Sequence, residues 1–201
     1  MRKTFPSSRR NKKLRMYLAV GAITFGLAVL VSFASTFFLE RMGSLFFGFL
    51  LLLIIILINV VFDAVGTAAT AASEPPFHAK AADRVAGAGE AVALIRNADQ
   101  VANFCGDVVG DVCGTISGAI GAAIALRILL QRPTWEEVVV GVVMSSLIAT
   151  LTVVGKAAGK TLAITEANDI IFMVGRILAG VKAALGLDRR RGKKYPRQKR
   201  K

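Results

Sequence analysis

The chain has 201 residues, 54% of them hydrophobic, and its 26 Lys and Arg against 13 Asp and Glu give a net charge of +13. Mean hydropathy is +0.58, too apolar for an ordinary soluble domain, so lipid must be the solvent for much of the chain and a soluble enzyme is excluded. His78 is the only histidine, and Cys105 and Cys113 are the only cysteines, so zinc sites built on His and Cys and His-based catalytic triads lack their parts.

Seven basic residues lie between Arg2 and Arg15, nine between Arg189 and Lys201, and ten in everything between. Lys and Arg beside apolar spans are retained on the cytoplasmic side of a membrane, so the N-tail (1–15) and the C-tail (188–201) are both expected there. In the C-tail the charges are interleaved by one aromatic, Tyr195; attraction to anionic lipid rather than nucleic acid is the expectation.

Residues 16–39 carry no charge, about 36 Å of helix against a hydrocarbon core of roughly 30 Å, and form a first predicted span. The basic flank with Ser32 and Ala34 also fits a cleaved signal peptide, although the apolar stretch is longer than a signal core. After a short turn, the run from Leu45 to Ala72 is a second span. Pro75 and Pro76 then break the helix, and charges at Lys80, Asp83, Arg84, Glu90, Arg96 and Asp99 alternate with Val85, Val92, Leu94, Ile95 and Val101. That pattern predicts an amphipathic helix over about 77–103 at the cytoplasmic interface.

A glycine-dense third span covers 104–130 and ends at Gln131, Arg132 and Pro133. Glu136 and Glu137 open the next helix, where negative charge suits the helix dipole, and 138–158 is the fourth span. Ser145 and Ser146 there are read as bonding to backbone carbonyls. From 161 to 187 the apolar residues recur at three and four positions, which predicts a second interfacial helix. The expected fold is therefore an all-α membrane protein with four transmembrane helices and cytoplasmic amphipathic juxtamembrane helices. A bacterial-type plasma (inner) membrane is the expected location, with only loops 40–44 and 131–136 on the far side.

Three groups of residues stand out as candidates. Gly106, Gly110, Gly114 and Gly118 repeat at intervals of four, so one face of the third span is nearly bare backbone, for packing within the chain or across a homodimer. Asp107 and Asp111 sit one turn apart beside that face, and Asp63 lies near the inner end of the second span. Carboxylates at such depth need water, cations or a basic partner, and Lys156 and Lys160, one turn apart near the cytoplasmic end of the fourth span, offer one.

Three short runs at these positions are similar to motifs of the transmembrane domain of the cyclin M and CorB/CorC magnesium transporters. Phe62 to Ala68 resembles the family's Phe-Ser-Gly-Ser-Glu-Thr-Ala run. Gly106 to Asp111 resembles its Gly-Asn-Asn-x-Val-Asn run, and Gly155 to Ala163 its Gly-Glu-x-x-Pro-Lys-Thr-Leu-Ala run. The likeness covers about 45–187; the first span is an addition, and the cytoplasmic nucleotide-binding module of many relatives is missing. Both family glutamates are replaced, by Gly66 and Lys156, while a serine and two asparagines become Asp63, Asp107 and Asp111. The resemblance implies a transporter of magnesium or another divalent cation, with no further cofactor and with Asp63, Asp107 and Asp111 as metal ligands through oxygen. Alternatively it implies a derivative in which Lys156, with Lys160, supplies an internal counter-ion. A non-transporting membrane scaffold or regulator, presenting polybasic tails to anionic lipid or an acidic partner, is the other expectation. No enzymatic activity is expected from either.

Overall fold

The computed structural model describes residues 7–41 and 44–186. Within the helix 7–41 the side chains described are those of 18–34, 36 and 37. The predicted C-tail (188–201) and the first six residues of the N-tail lie outside the described residues.

Every regular element among the described residues is helical. In chain order they are α1 (Ser7–Arg41), α2 (Leu45–Ala71), α3 (Pro75–Ala82), α4 (Ala88–Arg96), α5 (Ala98–Asn103), a π-helical segment (Phe104–Val109), α6 (Gly110–Gln131), α7 (Glu137–Thr165) and α8 (Ala167–Ala184). Three rods are long and apolar enough to cross a membrane: Leu45–Ala71, the continuous Ala98–Gln131, and Glu137–Thr165. Each is at least 27 residues long, about 40 Å at 1.5 Å per residue, and together they mark a membrane-embedded protein. On α1 the described apolar stretch is the shorter Leu18–Ala34.

Local chemistry sets the ends of these rods. Ser44 caps α2, its hydroxyl accepting from the Phe46 N–H at 3.3 Å, and α2 stops where Ala72 turns extended, ahead of Pro75 and Pro76 at the start of α3. Polar side chains inside the rods fold back on their own turns: the Thr67 hydroxyl donates to the Asp63 carbonyl at 2.9 Å, and Ser145, as expected, to the Val142 carbonyl at 3.0 Å.

Two elements differ from the sequence reading. The single amphipathic helix expected over 77–103 is three helices. The chain reverses between α3 and α4 through Arg84 and Gly87, both at positive φ, and breaks again at Asn97, after which α5 runs straight into the third rod. Gly87 is required by more than its φ of 88°: a β-carbon there would lie 2.6 Å from the Arg176 backbone nitrogen of α8, an approach only glycine permits. In the second difference, α7 continues past the expected end at 158 to Thr165, and α8 begins only at Ala167.

Helix α2 is the hub, packing along α6 and α7 and, towards its C-terminal end, against α5, the π segment and α8. Two apolar cores form around it. One joins Leu52, Ile55 and Ile56 of α2 to Val112, Ile116, Ile120 and Ile124 of α6 and to Val140 and Met144 of α7, with Leu27, Ala28 and Val31 of α1 against its side. The other joins Ala68 and Ala69 to Phe77 of α3, Ala91 of α4, Ala163 at the end of α7, and Ala167 and Ile171 of α8. A collar of polar contacts surrounds this second core. The Glu74 carboxylate meets Arg96 Nε at 2.6 Å and His78 Nε2 at 2.7 Å, Lys182 meets Glu90 at 3.4 Å, and Lys80 Nζ sits 4.3 Å from the centre of the Phe172 ring.

Candidate functional site

Between the two apolar cores, α2 presents two polar side chains one turn apart, Asn59 and Asp63. Both belong to a stretch whose neighbours are Ile, Leu and Val, so nothing in the local sequence solvates them; whatever satisfies them must come from α6 or α7. Helix α7 approaches closely at this level because Gly155 and Gly159 leave a slot for Val60. A β-carbon on Gly155 would lie 2.8 Å from Val60 Cγ2, and one on Gly159 3.0 Å from Val60 Cγ1. The residues following those glycines, Lys156 and Lys160, are thereby delivered to α2.

The two lysines bracket Asp63. Lys156 Nζ lies 3.7 Å from Oδ1 and Lys160 Nζ 3.7 Å from Oδ2. The carboxylate is 12% exposed, Lys156 28% and Lys160 54%, so Lys156 is the partner more withdrawn from solvent. At these separations the pairs act through charge; neither is a hydrogen bond. One carboxylate and two ammoniums leave the group net positive. Asp63 Oδ2 and Asn59 Oδ1 are both buried without a hydrogen-bond partner, as is the Ser117 hydroxyl on α6. Gly110 faces the same point: a β-carbon there would lie 3.5 Å from Asn59 Oδ1, 3.5 Å from Lys156 Nζ and 3.7 Å from the Cys105 carbonyl oxygen.

Of the five charged candidates, the structure brings together Asp63, Lys156 and Lys160. Asp107 and Asp111 stay apart, exposed, and form no ion pair with another described residue. Among the described residues no three His, Cys, Asp or Glu side chains converge on a metal-sized point, so the expected ligands Asp63, Asp107 and Asp111 are not gathered within the chain. The reason is helical phase. Val108, Val109, Val112, Cys113, Ile116, Ile120 and Ile124 recur at helical spacing and take the face that packs into the core, and burying valine and isoleucine costs far less than burying carboxylates. Asp107 and Asp111 are thereby turned to the outer face.

The glycine stripe shares that fate. Of Gly106, Gly110, Gly114 and Gly118, only Gly110 would set a β-carbon within 4 Å of a neighbour, whereas the other three would meet none. Gly114 and Gly118 instead line a groove of about 400 Å³ between α6 and α7, whose far wall includes Gly141, Ser145, Ala149 and Thr152. Helix contact within the chain is made by Gly66 against Ala102 and Cys105, by Gly121 against Ile148, and by Gly155 and Gly159. Gly121 extends the stripe legible in the sequence, but sequence reasoning gave no packing role to Gly66, Gly155 or Gly159 and none to Asn59, although the Gly155-x-x-x-Gly159 spacing and an Asn four positions before a membrane Asp were both visible.

Comparison with protein-family models, curated proteins and solved structures finds no match to the chain.

Proposed function

We propose that the chain is a multi-pass membrane protein built like the core of a magnesium or divalent-cation transporter, in which lysines of α7 take the place of the transported ion as counter-charge to Asp63. The observation that carries this reading is the nearly buried Asp63 carboxylate held between Lys156 and Lys160, each at 3.7 Å. A carboxylate at membrane depth requires a compensating cation, and here the compensation is covalently tethered. The short runs that resemble motifs of the cyclin M and CorB/CorC domains fall near the same helix ends, which supports the transporter-like reading. In this reading α1 is a fourth span, both basic tails and the α3, α4 and α8 collar lie on the cytoplasmic side of a plasma (inner) membrane, and the open groove between α6 and α7 receives a second copy of the chain.

The test is magnesium binding by the purified protein before and after Lys156→Glu. The variant removes the ammonium and adds a carboxylate, so it binds magnesium more tightly than wild type; equal affinity sinks the tethered-cation reading. Magnesium flux into liposomes then separates a working transporter, whose flux Asp63→Asn abolishes, from a derivative that no longer transports.

A second reading, a non-transporting scaffold or regulator, is favoured by the outward position of Asp107 and Asp111, which leaves Asp63 without a companion carboxylate. It predicts no flux, and loss of binding to anionic lipid or to an acidic partner when residues 189–201 are deleted.

A further inference from the structure

Asn59 is 2% exposed, and its Oδ1 has no hydrogen-bond partner. Buried side-chain oxygens are nearly always satisfied, so one left open invites an explanation. The space it faces is shared. Oδ1 and the Lys156 ammonium both stand 3.5 Å from the position a Gly110 β-carbon would take, with no side chain of Gly110 between them. Lys156 Nζ lies 3.7 Å from Asp63, too far for a hydrogen bond, so its three N–H donors are not committed to the carboxylate.

We infer that Asn59 is a second acceptor for Lys156, and that the gap left by Gly110 is the passage through which the ammonium moves between Asp63 and Asn59. This rests on the counter-ion reading of Asp63 and Lys156 and adds its regulation. The lysine stem is flexible, with four carbons between backbone and charge, so the move needs side-chain rotation alone. With Lys156 on Asn59, the Asp63 carboxylate keeps only Lys160, the more exposed of the two lysines, and becomes open to a cation arriving from that side. Asn59 is thus a positioning residue: it holds the displaced charge without competing for the cation, because a neutral amide oxygen accepts a hydrogen bond but adds no negative charge. An Asp at 59 would itself bind the cation, and a Leu would leave the ammonium nowhere to go.

The experiment is a double-mutant cycle on the full chain in detergent micelles, read by thermal unfolding. Asn59→Leu and Lys156→Met are measured alone and together in the otherwise wild-type chain, and the cycle is repeated with Gly110→Ala. An alanine at 110 makes only ordinary contacts at 3.5 Å but closes the gap. The expected result is coupling between Asn59 and Lys156 equivalent to roughly 3 °C in Tm, which Gly110→Ala reduces at least twofold. Additivity of Asn59→Leu and Lys156→Met overturns the inference, as does coupling that Gly110→Ala leaves unchanged. Should Lys156→Met fail to fold, Asn59→Leu is compared between wild type and Asp63→Leu, which leaves Asn59 as the side-chain acceptor facing the ammonium. Its Tm loss there is at least twice that in wild type, and equal losses overturn the inference. A separate cycle between Asp63→Asn and Lys156→Met reads the parent hypothesis. Additivity in that cycle sinks the counter-ion reading itself, whereas coupling there with none at Asn59 sinks only the second-acceptor role.

Discussion

Lys156 and Asp63 face each other between α7 and α2 with 3.7 Å between ammonium nitrogen and carboxylate oxygen, and they do so because Gly155, the residue before the lysine, lets Val60 into α7. The charge pair and the close helix approach are therefore one arrangement. Disturbing either is expected to disturb the other.

The two lysines are not equivalent. Lys156→Met removes the more buried partner and leaves Asp63 with a half-exposed lysine, at an expected cost of about 1–3 kcal/mol. Lys160→Met removes a side chain that is 54% exposed, whose pairing is screened by solvent, and costs less than about 1 kcal/mol. Unfolding of both variants in detergent checks the order; equal losses contradict it.

Overfilling the slot on α7 has a specific remedy. Gly155→Ala sets a β-carbon 2.8 Å from Val60 Cγ2, and such overpacking costs about 1–3 kcal/mol. Val60→Ala removes the obstructing methyls, so the double variant recovers part of the loss. A double variant no more stable than Gly155→Ala alone rules out Val60 as the cause.

Gly114 and Gly118 are expected to behave in the opposite way. A β-carbon on either meets nothing within 4 Å, so Gly114→Ala stabilises the isolated chain by about 0.5–1 kcal/mol through helix propensity. If a second copy occupies the groove between α6 and α7, the same substitution weakens the dimer. Stability and oligomeric state, measured together, read the two effects separately.

At the collar, the Arg96 guanidinium and then His78 hold the Glu74 carboxyl below its ordinary value of 4.5. A carboxyl whose pKa is lower in the folded state contributes stability that is fully present above the unfolded value and is lost as pH falls through the folded one. Arg96→Met is therefore expected to narrow the difference in Tm between neutral pH and acid below 4.5, with its largest penalty at neutral pH. A penalty that stays constant across this range excludes the linkage.

Gly87→Ala combines a left-handed backbone with a β-carbon 2.6 Å from Arg176 N. Strain of this kind costs about 1–3 kcal/mol, and relieving the contact pushes α8 away from α4. Faster proteolysis at Arg84 and Arg176 reports that separation.

Helix content and the three long apolar rods were legible in the sequence because uncharged runs of that length have few other solutions in lipid. The pairing of Asp63 with Lys156 and Lys160 was legible too, since each lysine sits at the same end of its helix as the aspartate and one turn from the other. What could not be read was phase. Asp107 and Asp111 share a spacing with the buried stripe of their helix but lie off it, and only the competition of Val108, Val109 and Val112 for the core decides which side faces inwards. Likewise, a glycine repeat announces room for a neighbour without saying whether one arrives: at Gly155 it does, at Gly114 it does not. The reversal at Gly87 depends on α8 pressing from roughly 90 residues further on, at Arg176, which no local window contains.

The loosely wound turn at Phe104–Val109 holds one residue more than an α-helix would place there. The surplus shifts register: every residue before it stands one position, about 100° and 1.5 Å, from where an uninterrupted α-helix leading into α6 would put it. The turn thus works as a phase adapter, joining the face that α5 lays against α2 to the separate face that α6 lays against it.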